Sequence, residues 1–289
     1  MLFYDAEGGC EGRAGAAPEW PGQVLALEVA AVGSVGLEVW LAALAYGARR
    51  VGVLTAATTP ASVLGEIRQQ QVFAHALLTG LGYPPGVLTL PAAGEDPLAA
   101  LRRAESMPPI TPAGFAGSAS KRANLYFAID HLARQSSPPQ PVIPLPEPAP
   151  FGAIAVNRDT CTLCLACVAV CPASALFDSP EAPRLEFVEA HCVQCGLCER
   201  ACPEHAITRH PRFLFAPDQR RRRRLLHEDA VFCCPSCGKP FAPRRLIESL
   251  KAKLAGHWMF QDEAALRRLQ LCGDCRVRDL FSEGRGVSR

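Results

Sequence analysis

Between residues 1 and 135, short apolar runs alternate with longer amphipathic stretches. Residues 1–4 and 24–32 read as strands, the second as the nearly continuous apolar run of a buried strand. A Gly33-Ser34-Val35-Gly36 turn follows. Ser34 stands where it could cap a helix over 35–48, whose Leu37, Leu41 and Leu44 form one stripe. Residues 51–54 and 87–90 read as further strands. Helices are expected over 61–81, closed by Gly82, over 97–106 and over 118–134. Strands alternating with helices of this length predict an α/β domain over 1–135, a parallel sheet with flanking crossover helices.

The pattern then breaks. Residues 136–150 hold seven prolines in fifteen positions, which excludes a helix or an inner strand and predicts an extended, semi-rigid linker. Beyond it the chain repeats with a period of 31 residues: Cys161 falls on Cys192, Cys171 on Cys202, and Ala175-Leu176 on Ala206-Ile207. Each copy predicts a strand, a loop with a short helix and a second strand, with leading strands at 152–156 and 184–188.

Composition changes this picture at one point, the 14 cysteines. Twelve fall at metal-ligand spacings, leaving Cys10 and Cys233 outside. Thiols spaced for metal must stay reduced, so a cytoplasmic location is expected. The first residues carry no export pattern. Residues 24–46 are apolar over the length of a membrane span, but Glu28, Glu38 and the glycine turn interrupt them, and no span is expected. A net charge of +2 gives no general attraction to nucleic acid.

The cysteines of the repeat read CTLCLACVAVCP at 161–172 and CVQCGLCERACP at 192–203. Each is Cys-x2-Cys-x2-Cys-x3-Cys-Pro, in an order that a zinc site or a disulfide knot does not explain. Residues 150–212 resemble the two-cluster ferredoxin family. The resemblance implies an α+β ferredoxin-like dicluster domain over 151–212 with two [4Fe–4S] clusters. It also implies crossed ligation, in which each run lends its fourth cysteine to the other cluster. Cys161, Cys164, Cys167 and Cys202 would then hold one cluster, and Cys192, Cys195, Cys198 and Cys171 the other.

Five arginines follow, Arg220 to Arg224. With no nucleic-acid module nearby, they read as a docking patch for an acidic redox partner. Residues 225–289 carry two further Cys-x2-Cys knuckles, Cys234 with Cys237 and Cys272 with Cys275. Together they make a tetrahedral S4 site for zinc, with a single iron as the alternative. Helices over 243–255 and 262–271 complete a small zinc-ribbon-like domain.

Two wider resemblances bear on function. The element order of the first domain and its phrase AALAYGARRVGVL are similar to the delta-subunit domain of hydrogenases that feed heterodisulfide reductases. The whole combination resembles the iron–sulfur proteins that accompany bacterial molybdenum-dependent formate dehydrogenases. It implies an electron-transfer or accessory subunit working between donor and acceptor proteins. No nucleophile–base pair or phosphate loop stands out, and His75 and His131 read as ordinary helix residues, so a non-catalytic subunit is expected. The alternatives are an oxidoreductase subunit with a flavin at the Gly33–Gly36 turn, and a maturation or regulatory protein with structural clusters.

Overall fold

The structure, a computed structural model, describes residues 1–6, 20–92, 95–136 and 140–283. Cys10 lies outside the described residues. The chain forms two compact units, Met1–Ala149 with Arg212–Pro217, and Pro150–Pro211 with Asp218–Arg289.

The first unit is built on a parallel sheet of β1 (Leu2–Tyr4), β2 (Ala26–Glu28), β3 (Val51–Val53) and β4 (Leu88–Thr89), in the order β2-β1-β3-β4. The helices are α1 (Leu37–Ala45), α2 (Ala61–Gly80), α3 (Pro97–Arg103) and α4 (Lys121–Gln135). Trp40, Leu41 and Leu44 of α1, Leu77 and Leu78 of α2, and Ile129 and Leu132 of α4 are buried with Leu2, Val51 and Val53 of the sheet. Asp96 caps α3 by accepting from the Leu98 amide at 3.0 Å, and Ser120 caps α4 by accepting from Ala123 at 3.2 Å. The helix α3 starts where cap and apolar pattern both point, whereas α4 starts at Lys121 and not at 118, because Ser120 takes the cap.

Two local expectations give way. The segment over 24–32 is a three-residue strand at the sheet edge, and its Leu25 and Leu27 are exposed. A continuous apolar run does not distinguish a central strand from an edge with one face uncovered. Nor does Ser34 cap α1: its hydroxyl donates to Ala31 O, and the cap position is Gly36. The amide of Leu37 is met instead by the side-chain oxygen of Gln70 at 2.8 Å, from α2.

The described part of the proline-rich stretch, from residue 140, includes a packed strand. Within it β5 (Val142–Pro144) pairs antiparallel with Arg212–Leu214, and Ile143 and Leu145 are buried. A strand paired on one edge tolerates proline because its other edge donates no hydrogen bond.

The second unit begins with the repeat. Its first copy is β6 (Gly152–Val156), α5 (Ala166–Ala169) and β7 (Leu176–Asp178). Its second is β8 (Arg184–Phe187), α6 (Leu197–Arg200) and β9 (Ile207–Leu214). The copies interlock rather than sit side by side: β6 pairs antiparallel with β9, and β7 with β8. The helices start 31 residues apart, and so do the backbone irregularities. Leu163 and Gln194, Leu165 and Gly196, and Ser174 and His205 all have positive φ. Three left-handed positions per copy, five of the six not glycine, are costly conformations held by the loops around them.

After the repeat come α7 (Pro217–Arg221) and β10 (Arg224–Glu228), which pairs with β8 and extends that sheet. The last segment is a hairpin of β11 (Val231–Cys233) and β12 (Pro240–Pro243), followed by α8 (Arg244–Leu254), α9 (Glu263–Arg268) and α10 (Gly273–Glu283). The helix α10 was not foreseen, because its amphipathic stretch follows the Cys272–Cys275 knuckle directly.

Candidate metal centres

The eight cysteines of the repeat gather around two small cavities. One is lined by Cys161, Cys164 and Cys167 together with Cys202. The other is lined by Cys192, Cys195 and Cys198 together with Cys171. Each run therefore wraps three thiols around its own cavity and sends the fourth to the other. The interlocked strands explain the crossing. Because β7 pairs with β8 and β6 with β9, the end of each loop is carried to the start of the other copy.

The cavity walls are otherwise mostly apolar: Leu163, Leu165, Leu185 and Ile207 around the first, Ile154, Leu176, Phe187 and Leu197 around the second. The fourth thiol of each set receives a backbone hydrogen bond at the equivalent place. Ala175 N donates to Cys171 Sγ and Ala206 N to Cys202 Sγ, both at 3.3 Å. Amides aimed at sulfur favour thiolate. Three of the other thiols, Cys161, Cys167 and Cys198, resist ionisation. Burial, and then the neighbouring cysteines, push Cys167 up to about 12. Burial and Cys192 push Cys198 to about 11, against the amide of Glu199. Four thiolates around one small cavity need a positive centre between them, and an iron–sulfur cluster supplies one. The donor set fits such a group.

Behind the first cavity, His227 is buried, and its pKa is lowered by burial and by the charge of Arg245. Arg245 Nη1 donates to the carbonyls of Arg158 and Asp159, both at 2.7 Å. Around the second cavity, Arg209 pairs with Glu199 at 2.9 Å and donates to Gln194 O at 2.9 Å.

The second cysteine group is tighter. The sulfurs of Cys234, Cys237, Cys272 and Cys275 all lie within 4.8 Å of one another. Cys237 Sγ and Cys272 Sγ are 3.7 Å apart. A metal–sulfur bond of about 2.3 Å in a tetrahedron gives sulfurs about 3.8 Å apart, so the spacing suits one ion. The first knuckle is a turn closed by Gly238 N donating to Cys234 O at 2.8 Å, with Gly238 at φ +73°. The second lies at the start of α10. Burial opposes the Cys234 thiolate, but the amides of Cys272, Cys237 and Ser236 bring its pKa down to about 6. Cys233, next in sequence, is exposed and stands outside the four.

Residues 156–207 match the family of 4Fe-4S dicluster domains. This segment is a ferredoxin-type 4Fe–4S domain. Among curated proteins, similarity is found to the archaeal-type glutamate synthases [NADPH] of Thermotoga sp. (strain RQ2) and of Thermotoga maritima. Each is 46% identical over 55 residues, 18% of this chain and 11% of the relative. The chain thus spans only a small part of the length of these relatives. Both comparisons support iron–sulfur electron transfer.

Of the arginine run, Arg221 to Arg224 are exposed and Arg220 is buried. Arg220 is 2% exposed. Arg223 lies over the Phe177 ring at 4.0 Å and 3.6 Å from Glu186, and Arg224 is 3.9 Å from Glu189. Arg223 and Arg224 make these contacts while staying exposed, as Arg221 and Arg222 are. In the first unit, His131 is buried and its ring meets Thr111 O at 2.8 Å, an ordinary structural role. The Gly33–Gly36 turn offers little to a phosphate, since Gln70 meets the Leu37 amide and Glu38 adds an acid to the first turn. Among the described residues, no helix is long and apolar enough to cross a membrane.

Sequence reasoning missed Gln194 and Arg209. The signal was present in the repeat, where Gln194 stands opposite Leu163 and Arg209 opposite Asp178.

Proposed function

We propose that the chain is an electron-transfer protein carrying two [4Fe–4S] clusters with crossed ligation. One is held by Cys161, Cys164, Cys167 and Cys202, the other by Cys192, Cys195, Cys198 and Cys171. A zinc ion on Cys234, Cys237, Cys272 and Cys275 holds the C-terminal segment together. The observation that carries this reading is the pair of cavities, each walled by three cysteines of one run and one of the other. Bound clusters supply one-electron chemistry at low potential. The protein's own residues supply thiolates, exclude water with the apolar wall, and aim amides at sulfur. The partners are donor and acceptor subunits of a redox complex, of which a formate dehydrogenase is the first candidate. The glutamate synthase relatives, NADPH enzymes by name, also point to oxidoreductase partners.

Anaerobic purification, metal and sulfide analysis and an EPR-monitored redox titration test this. About eight irons and about one zinc per chain are expected. Close to four irons after full reconstitution would sink the two-cluster assignment, and clusters that cannot be reversibly reduced would favour a structural or sensory role.

One observation favours a second reading. A cavity of about 590 Å³ in the first unit is lined by Arg49, Arg50, Arg102 and Tyr46 among others, a size and charge that suit a phosphate-bearing cofactor such as a flavin. Flavin absorbance in the purified protein separates it from the first.

A further inference from the structure

The two cavities are related by the repeat, yet their environments differ, and the difference centres on Gln194. This side chain is 5% exposed and its Nε2 donates to Cys192 Sγ at 3.3 Å and to Ala153 O at 3.0 Å. Its Oε1 is buried and finds no partner among the described residues. The carboxamide fits because position 152 is glycine, where a Cβ would lie 2.6 Å from Gln194 Cδ. Its loop is held by Arg209, which donates to Gln194 O and packs over Gly196.

The repeat supplies its own control. Opposite Gln194 stands Leu163, equally buried and with nearly the same φ, 54° against 55°. An apolar side chain therefore serves this backbone position. A buried carboxamide with an orphaned oxygen is a worse choice for stability. What glutamine adds is a side-chain N–H aimed at a cysteine sulfur; Leu163 offers Cys161 only its backbone amide. The amides of Ala175 and Ala206 are matched between the sites and cancel.

Exposure differs in the same sense. Cys161, Cys167 and Cys202 are buried in the first set, whereas none of Cys171, Cys192, Cys195 and Cys198 is. Fixed charges do not decide the matter. Arg209 is paired with Glu199 at the second site, and at the first Glu204 is paired with Lys253 at 2.5 Å, with Arg245 nearby.

We propose that Gln194 breaks the symmetry of the two centres and sets the potential of the Cys192-side centre above that of the Cys161-side centre. Reduction adds negative charge. A hydrogen bond to a ligand sulfur and access to water both stabilise that charge, so both raise the potential of the Cys192 side. An electron given to the pair comes to rest there, and that side is the exit toward an acceptor. The inference rests on the two-cluster reading above, and Gln194 acts through Cys192 as a positioning residue.

The test is an EPR-monitored potentiometric titration of the full chain, with iron and sulfide measured on the same samples. Wild type should show two one-electron waves. Gln194→Leu should lower the upper wave by about a tenfold change in its equilibrium, about 59 mV, leaving the lower wave and the iron content unchanged. The reciprocal Leu163→Gln should raise the lower wave. If Gln194→Leu leaves both waves in place or moves the lower one, the proposal fails. Should Gln194→Leu lose iron, Leu163→Gln decides alone, and an unmoved lower wave overturns the proposal. Iron well short of about eight per wild-type chain is a different result, which removes the two-cluster reading and this inference with it.

Discussion

Single residues carry the crossing of the two cysteine sets. Cys171 belongs by sequence to the first run but lines the cavity of Cys192, Cys195 and Cys198. Replacing Cys171 by Ala should therefore damage the centre of the second run. The EPR signal lost should match the one lost on replacing Cys195, and a match to Cys164 would disprove the crossing. Gly152 makes a second case. A Cβ there would press on Gln194 and on the His210 carbonyl, which belongs to the paired strand β9 and cannot move away. Gly152→Ala is expected to lower the melting temperature and to loosen the Cys192-side loop, read as faster iron loss to a chelator. The cysteines were legible from their spacing alone. Gly152 and Gln194 were not, because their importance comes from a close approach between a strand and a loop 42 residues away.

At the scale of elements, the C-terminal segment is organised around its four-cysteine group. Its buried cluster consists of Cys234, Cys272, Cys275 and Leu271, with Phe241 packed against it. Three of the four buried members are cysteines of the proposed metal site, so on that proposal most of this core is the site itself. Removing the metal with a chelator should unfold α8, α9 and α10 and lower the helical circular dichroism, while the visible absorbance of the clusters persists. Gly238→Ala is a milder probe. Nothing lies within 4 Å of its missing Cβ, so the penalty is the left-handed φ alone, about 1–2 kcal/mol. Metal affinity should fall by about tenfold or a little more, measured by competition with a chromogenic chelator. Elements of this kind were legible where several signals coincided. The helix α3 has its apolar positions, the Asp96 cap and Pro97 together at its start. The segment at 24–32 had only an apolar run, which does not say whether its neighbours cover both faces.

Over the whole chain the charge is nearly balanced, at +2, so partner recognition has to come from local patches. The arginine run is the densest of these, but its members do different things. Arg220 is buried, and Arg223 and Arg224 tie β10 to Glu186 and Glu189 of the repeat. Reversing them would disturb the sheet that β10 extends. Arg221 and Arg222 are exposed and lie on the same unit as both cysteine cavities. Electron carriers work through brief encounters, and exposed charge raises the on-rate without tight binding. Such steering is screened over about 10 Å at 0.1 M salt. The double substitution Arg221→Glu with Arg222→Glu should therefore slow reduction by an acidic redox partner several-fold at low salt. The gap from wild type should close at high salt, and iron content and potentials should not change. A salt-independent loss would mean that the pair supports the fold and does not steer the partner. Loss of nucleic-acid binding with electron exchange intact would move these arginines to another function.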